Sequence, residues 1–135
     1  MPVAQGNHRW NPKLRRMFET TKGHAAWRLI VMRLAQVAHR ESELEQFTGP
    51  VILELRFRLP RPKGHVKKDG TLRLGKPELP ISSPDLSKLV RAVEDSLTGA
   101  GVWTDDSLVA DLFARKRYAS PGEEGVDVFV REVEL

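Results

Sequence analysis

The segment from Val51 to Leu59 alternates apolar and polar side chains, with Ile52 as the one apolar residue at a polar position. Valine, leucine and phenylalanine occupy one set of positions, while Glu54, Arg56 and Arg58 fall on the other. A period of two residues is that of a β-strand with one buried face and one solvated face. The chain therefore requires a sheet that is covered by apolar residues from another element on one side.

Two amphipathic helices are predicted to provide that cover. From about His24 to Arg40, apolar residues recur at helical spacing: Trp27, Ile30, Val31, Leu34, Val37 and Ala38. A second helix opens at Pro84 and Asp85 and stops at Gly99, with an apolar stripe of Leu86, Leu89, Val90, Val93 and Leu97. Residues 107–118 and 126–134 have the composition of two more strands. This order predicts an α+β fold in which two main helices pack on a small mixed β-sheet.

Length and composition place the chain in a broad class. Its 135 residues fit one domain, residues 1–135, with an ordinary 40% of hydrophobic and 30% of charged residues. The absence of cysteine excludes disulfides and cysteine-based zinc sites. No apolar run approaches the roughly 20 residues that span a bilayer, and the N-terminus lacks an apolar signal core. We therefore expect a cytoplasmic protein with no membrane partner.

Positive charge is concentrated in two segments. Residues 1–23 have the composition of a basic N-terminal arm, and residues 60–84 that of a basic loop rich in proline and glycine, with a hairpin around Lys68-Asp69-Gly70. Residues 85–111 reverse the sign with six acids. Basic segments favour a polyanionic partner, and a divalent metal commonly holds acids beside one. The alternative is that acids and bases merely solvate different faces.

The basic residues are predicted to contact phosphates, which gives salt-sensitive binding with little sequence information. The candidates are Arg9, Lys13, Arg15, Arg16, Lys22, Lys63, Lys67, Lys68, Arg73, Lys76, Lys88, Arg115 and Arg117. For Arg115 and Arg117 a solvated strand edge is an equal alternative. Trp10 lies in the polar arm, where packing in a dimer interface is favoured over stacking on an unpaired base.

The stretch from Pro84 to Asp106 carries the candidate chemistry. At about 100° per residue, Ser87, Arg91 and Glu94 share one polar face of the second helix. Asp85 stands at its start, where capping and the macrodipole favour a carboxylate. Asp105 and Asp106 follow a short loop containing Trp103, which is predicted to pack beneath them. If the next strand runs beside the helix start, Asp106 approaches Asp85, and Mg²⁺ takes such oxygen ligands. The alternative is a simple cap and turn.

This stretch resembles the signature of RusA-type crossover junction endodeoxyribonucleases, which reads D-L-D-N-L-x-K, then D-A-L-T, then G-x-x-x-D-D. The residues in register are Asp85, Leu86, Leu89, Asp95, Leu97, Thr98, Gly101, Trp103, Asp105 and Asp106. Residues 2–9 also resemble the P-x-x-Q-G-x-x-R run of this family. The resemblance implies a homodimer that cuts Holliday junctions, from a bacterium or a phage. It also implies Mg²⁺, with Mn²⁺ as a substitute, held by Asp85 and Asp106, and no small-molecule substrate.

Two positions depart from the family pattern. Its second aspartate falls at Ser87, a weak neutral ligand, and its catalytic lysine falls at Arg91, which cannot donate a proton as lysine does. We expect Glu94 to supply the missing carboxylate and Arg91 to stabilise the phosphate in the transition state. The expected catalytic residues are Asp85, Arg91, Glu94 and Asp106, and the expected metal ligands are Asp85, Ser87, Glu94, Asp105 and Asp106.

Two other functions stay open at this point. One is a non-catalytic protein that binds branched DNA on the same fold, its site degraded at Ser87 and Arg91. The other is an RNA- or ribosome-binding α+β protein whose acids are structural. Three carboxylates around one point would favour the nuclease, whereas a lone pair would favour the DNA-binding protein.

Overall fold

The computed structural model describes residues 9–10, 12–15, 24–82 and 84–134, except for the side chains of residues 13–15 and 24–27. These residues form β1 (Arg9–Trp10), β2 (Lys13–Arg15), α1 (His24–Ser42), β3 (Val51–Leu59), α2 (Leu86–Gly99), β4 (Val109–Tyr118) and β5 (Gly125–Glu132). Short 3-10 turns span Lys63–His65 and Asp106–Leu108. Among these residues, no helix combines the length and the apolar character needed to cross a membrane.

The strands form one mixed sheet. β5 pairs antiparallel with β3 on one side and with both β1 and β2 on the other, and β3 pairs parallel with β4. A parallel pair needs a long crossover between its strands, and α2 lies within the segment that joins β3 to β4. The predicted α+β fold with a small mixed sheet is confirmed.

The alternation predicted for β3 is confirmed by its burial. Val51, Leu53, Leu55, Phe57 and Leu59 are all at most 4% exposed, and every intervening residue is only partly buried. The buried set joins α1, α2 and the apolar side of β5 in one hydrophobic core. One face of the sheet thus carries the helices, and the polar face points away from them.

The buried stripe of α1 differs from the predicted one. Val31 and Ala35 are fully buried, whereas Leu34 and Val37 are 36% and 48% exposed. The prediction was wrong for those two residues because the buried face of α1 is centred on a small alanine. The hydropathy of Ala35 does not distinguish this residue from the larger apolar residues beside it in α1. The side chain of Trp27, also part of the predicted stripe, lies outside the described residues.

The stripe of α2 is close to the prediction, since Leu89, Val90, Val93 and Leu97 are all buried. Its end lies further along than predicted. Gly99 is still helical, and a Cβ at this glycine would lie 2.8 Å from Met32 Sδ, so it marks a close approach of α1 to α2. The turn is instead made by Gly101.

Gly101→Ala should lower the free energy of unfolding by about 1–2 kcal/mol, because the φ of +77° at this residue is unfavourable for any side chain with a Cβ. Gly64→Ala is the matched control. A Cβ at Gly64 meets no atom within 4 Å and its φ is not positive, so we expect a change within about 0.5 kcal/mol. Urea denaturation of both variants measures the difference, and equal effects would refute it.

Trp10 belongs to the core of the chain itself. Its side chain is 2% exposed, and its ring lies edge-on against His39 with 5.8 Å between the ring centroids. The expectation that Trp10 packs in a dimer interface was wrong, because β1 pairs with β5 and turns this ring into the core.

Candidate active site between α2 and β4

An open groove of about 630 Å³ lies between α2 and β4, and we call it the α2–β4 groove. Its lining combines polar residues from α2 and the following turn with apolar residues from both elements: Leu86, Ser87, Val90, Arg91, Glu94, Asp106, Leu112 and Ala114. The groove therefore brings Asp106 together with Ser87, Arg91 and Glu94, the three residues on the polar face of α2.

The helix presents these three side chains because its apolar stripe faces the core. Ser87 and Arg91 are exposed, and Glu94 is half-buried at the next position along the same side. The spacings of four and three residues keep successive side chains on one face of an α-helix. A hydroxyl, a guanidinium and a carboxylate thus follow one another along the wall of the groove.

Asp106 is positioned by a tightly held connection after α2. The backbone N–H of Phe47 donates to the Val102 carbonyl at 2.9 Å, and the N–H of Thr104 donates to the Phe47 carbonyl at 3.1 Å. Between them, Trp103 is 1% exposed, and its indole N–H donates to Thr98 Oγ1 at 2.7 Å. The predicted packing of Trp103 beneath the acidic loop is confirmed, and it fixes the connection against α2.

Glu94 and Asp106 line the same groove, and their carboxylates interact electrostatically. Burial raises the pKa of the Glu94 carboxyl, and the negative charges of Asp106 and then Asp95 raise it further, with Arg91 acting in the opposite direction. Asp95 itself points towards α1, where its carboxylate lies 3.7 Å from the Arg28 guanidinium. The groove thus concentrates negative charge in two carboxylates with one cation beside them.

Asp85 is not among the residues that line the groove. Its backbone carbonyl accepts the first helical hydrogen bond from Leu89 N–H, but its side chain makes no capping hydrogen bond. The carboxylate is exposed and lies 3.7 Å from Lys88 Nζ. The alternative that the Asp85 side chain merely caps α2 is therefore wrong, because the carboxylate pairs with Lys88 one turn along, and its role as a metal ligand stays a prediction.

Asp105 serves the turn that follows the connection. Its carboxylate accepts a hydrogen bond from the Ser107 N–H at 3.3 Å, which caps the 3-10 turn at residues 106–108. Hydrogen bonding from Ser107 lowers the pKa of the Asp105 carboxyl. Of the two adjacent aspartates, Asp106 lines the groove and Asp105 stabilises the backbone that presents it.

The donor atoms of the groove suit a hard cation. Across residues 9–10, 12–15, 24–82 and 84–134, no three or more histidine, cysteine, aspartate or glutamate residues are grouped to hold a metal ion. The groove offers instead the carboxylates of Glu94 and Asp106 with the Ser87 hydroxyl. Mg²⁺ is commonly bound through one or two carboxylates, with waters and substrate phosphates completing its shell. This donor set therefore fits Mg²⁺ when a phosphate is present.

Two residues that sequence reasoning missed hold the basic loop beside the groove. Lys116 Nζ donates to the carbonyls of Ser82 and Pro84, both at 2.9 Å. Arg61 donates to the Pro77 carbonyl at 2.9 Å, and its guanidinium lies 4.0 Å from the centroid of the Tyr118 ring. Their partners are mostly backbone carbonyls distant in sequence, so no local motif marks these two cations as anchors.

The structure distributes the other predicted phosphate-binding residues over several surfaces. All those with described side chains are exposed. Five lie in the basic loop: Lys63, Lys67, Lys68, Arg73 and Lys76. Four lie elsewhere: Arg9, Lys88, Arg115 and Arg117. The predicted hairpin in the loop is confirmed by the bridge between Val66 and Leu72. The side chains of Lys13 and Arg15, and the whole of Arg16 and Lys22, lie outside the described residues.

Comparison with known families agrees with the resemblance in the motifs. The family model described as Endodeoxyribonuclease RusA matches residues 1–131, which include every strand and helix above except the last residue of β5. None of the curated proteins compared with the chain matches it. The family match thus covers the α2–β4 groove together with the sheet that supports it.

Proposed function

The chain belongs to the RusA family of endodeoxyribonucleases, and from this we propose that it hydrolyses phosphodiester bonds of branched DNA, with the Holliday junction as its substrate. The observation that supports a working site is the α2–β4 groove, where Glu94 and Asp106 lie beside Arg91. Because contacts to phosphates carry no sequence information, selection of the junction would depend on its shape.

Glu94, Asp106 and Ser87 would hold the divalent ion of this enzyme, Mg²⁺ or, as a substitute, Mn²⁺. When bound, such an ion neutralises charge on the scissile phosphate and lowers the pKa of a bound water. Burial is the main cause of the raised pKa of Glu94 and the charge of Asp106 adds to it, so a cation held between the two carboxylates would stabilise both. Asp85 stays a proposed ligand beside them: its exposed carboxylate stands at the start of α2, 3.7 Å from Lys88 Nζ, and does not itself line the groove.

Arg91 would bind the phosphate directly. Its guanidinium lines the groove, is exposed, and has no acidic partner within 4.0 Å among the described residues. A guanidinium forms paired, charge-assisted hydrogen bonds to phosphate oxygens and stays protonated throughout the working pH range. Arg91 therefore stabilises negative charge as it develops, and the proton for the leaving oxygen comes from water in this open groove.

Two copies of the chain would act together. Resolution of a four-way junction requires cuts in two strands, and a symmetric dimer supplies two α2–β4 grooves in a fixed relation. We propose a homodimer that works in the cytoplasm of a bacterial cell, on host or phage DNA.

A non-catalytic protein that binds branched DNA is the second candidate. It is favoured by the observation that the described residues contain no group of three carboxylates able to hold a metal ion. Ser87 and Arg91 in place of aspartate and lysine point the same way. On this alternative, the groove would still contact phosphate through Arg91 but would leave the bond intact.

Incubation with a synthetic four-way junction at moderate salt, in Mg²⁺ and in EDTA, separates the two candidates. Paired symmetric nicks that require the metal would establish the nuclease. Tight binding without nicks, in Mg²⁺ and in Mn²⁺, would establish the non-catalytic protein.

Glu94→Gln tests, in the same assay, whether the Glu94 carboxylate replaces the aspartate that the family pattern has at the position of Ser87. We expect cleavage to fall by about 10–100-fold, the usual cost of losing a group that supports a metal site, while junction binding is kept. Asp95→Asn is the matched control, because it removes a neighbouring carboxylate that pairs with Arg28 outside the groove. Full Mg²⁺-dependent cleavage by Glu94→Gln would rule out its compensating role.

A further inference from the structure

The sheet has a second polar surface on the side opposite the helices, which we call the outer face. Strand register defines it: Phe113, Arg115 and Arg117 of β4 are the partners of Glu54, Arg56 and Arg58. Register partners in neighbouring strands point to the same side of a sheet. The intervening residues of β4, such as Leu112 and Ala114, pair with buried residues of β3 and line the α2–β4 groove. β4 therefore separates the groove from the outer face by the thickness of one strand.

The outer face carries more positive than negative charge. Two of its arginines are neutralised, Arg56 by Glu54 at 3.4 Å and Arg58 by Asp127 at 3.3 Å. Arg115 and Arg117 lie directly beside them on β4 and are exposed, and within the described part of the chain neither has an acidic partner within 4.0 Å. Arg131 on β5 adds a further exposed cation at one end, where Asp111 is the only unpaired acid among the described residues of this face.

Aromatic side chains lie within this positive surface. Phe113 is 60% exposed, two positions before Arg115 on the same face. Phe129 on β5 is half-buried under the Arg56 guanidinium, which lies 5.1 Å from its ring centroid. Proteins that hold single-stranded nucleic acid combine exposed rings, on which bases stack, with arginines that follow the backbone.

We infer that the outer face binds an unpaired strand of DNA, with a base stacked on Phe113 and phosphates held by Arg115 and Arg117. A duplex would leave the exposed ring without a function, since its base faces are already stacked. A second copy of the chain would bring the unpaired arginines of two outer faces together. The inference rests on the proposed function only in taking DNA as the partner, and it gives the enzyme a contact for the open strands of a branch point.

The position of β4 connects this surface to the proposed active site. Ala114 lines the α2–β4 groove, while Arg115, the next residue, lies on the outer face. A strand that crosses the edge of the sheet at this point would reach both surfaces. Arg115 and Arg117 were predicted to bind phosphate, but their pairing with Phe113 depends on a strand register that the sequence alone leaves open.

The test measures binding by fluorescence anisotropy of a labelled oligothymidine and of a labelled hairpin duplex, both in EDTA so that neither is cut. Phe113→Ala should weaken oligothymidine binding by about fivefold or more and change duplex binding by less than about twofold. Phe113→Tyr, which keeps the ring, should bind as wild type does. Arg115→Ala with Arg117→Ala should also lower the salt slope for oligothymidine by about 1.4, as expected for two lost phosphate contacts.

The matched control is Arg33→Ala with Arg40→Ala, which removes two exposed arginines from α1 on the other side of the sheet. Equal losses in the control and outer-face variants would overturn the inference, as would equal effects of Phe113→Ala on both DNA forms. So would a Phe113→Ala variant that changes only the oligomeric state. Junction cleavage is measured separately. If the protein binds oligothymidine through Phe113 but does not cut the junction, the proposed nuclease activity alone is refuted. If it cuts the junction and Phe113→Ala binds oligothymidine as wild type does, this inference alone is refuted.

Discussion

Asp106→Asn should cut a four-way junction about 10–100-fold more slowly than the wild type while binding it equally well or more tightly. The change removes one of the two carboxylates in the α2–β4 groove and leaves a neutral amide of the same shape. Binding is kept because a negative charge beside the DNA phosphates disappears. Since Asp106 is exposed, the melting temperature should stay within a few degrees of the wild-type value, about what a change of 0.5 kcal/mol gives.

The control for this experiment is Glu41→Gln. Glu41 is exposed on α1, carries the same charge and lies neither in the groove nor on the outer face. We expect its cleavage rate to lie within about twofold of wild type, since surface substitutions away from a site have small effects. An Asp106→Asn variant that retains half of the wild-type rate would exclude Asp106 from the active site.

Trp103→Ala should lower the free energy of unfolding by about 3–5 kcal/mol, the usual cost of truncating a buried tryptophan. The side chain is 1% exposed and packs in the main core, and its indole N–H donates to Thr98 Oγ1 at 2.7 Å. Denaturation by urea, followed by circular dichroism, measures the loss. An effect below about 1 kcal/mol would show that this ring does not anchor the connection between α2 and β4.

Trp103→Phe separates the hydrogen bond from the packing. It keeps most of the buried ring but removes the donor to Thr98, so we expect a smaller loss that includes about 1 kcal/mol for the hydrogen bond. Cleavage by this variant should fall if the hydrogen bond helps to fix the position of Asp106. The two variants together show how much of the site depends on the core beneath it.

The elements that could be predicted from the sequence are those specified by a local period. The alternation from Val51 to Leu59 and the stripe of α2 each repeat within one element, so neighbouring residues alone reveal them. The same holds for the shared face of Ser87, Arg91 and Glu94, which follows from helical geometry. That part of the candidate site can be predicted without any tertiary contact.

The other features depend on contacts between distant residues. The backbone of Phe47 is hydrogen-bonded to the connection after α2, although it lies more than 50 positions earlier in the chain. These hydrogen bonds determine where Asp106 lies. The Asp85 carboxylate can either cap α2 or pair with Lys88. Both interactions are weak and local, so the residue types alone do not decide between them. The outer face requires the parallel register of β3 with β4, and no period within either strand specifies it.

The most direct measurement is an anomalous-scattering map from crystals soaked in Mn²⁺. The central claim is that the carboxylates of Glu94 and Asp106 hold the metal ion in the α2–β4 groove. We predict a manganese peak within bonding distance of both carboxylates, lost in crystals of Asp106→Asn. A peak bound by Asp85 without Glu94, or one that persists in Asp106→Asn, would contradict the claim.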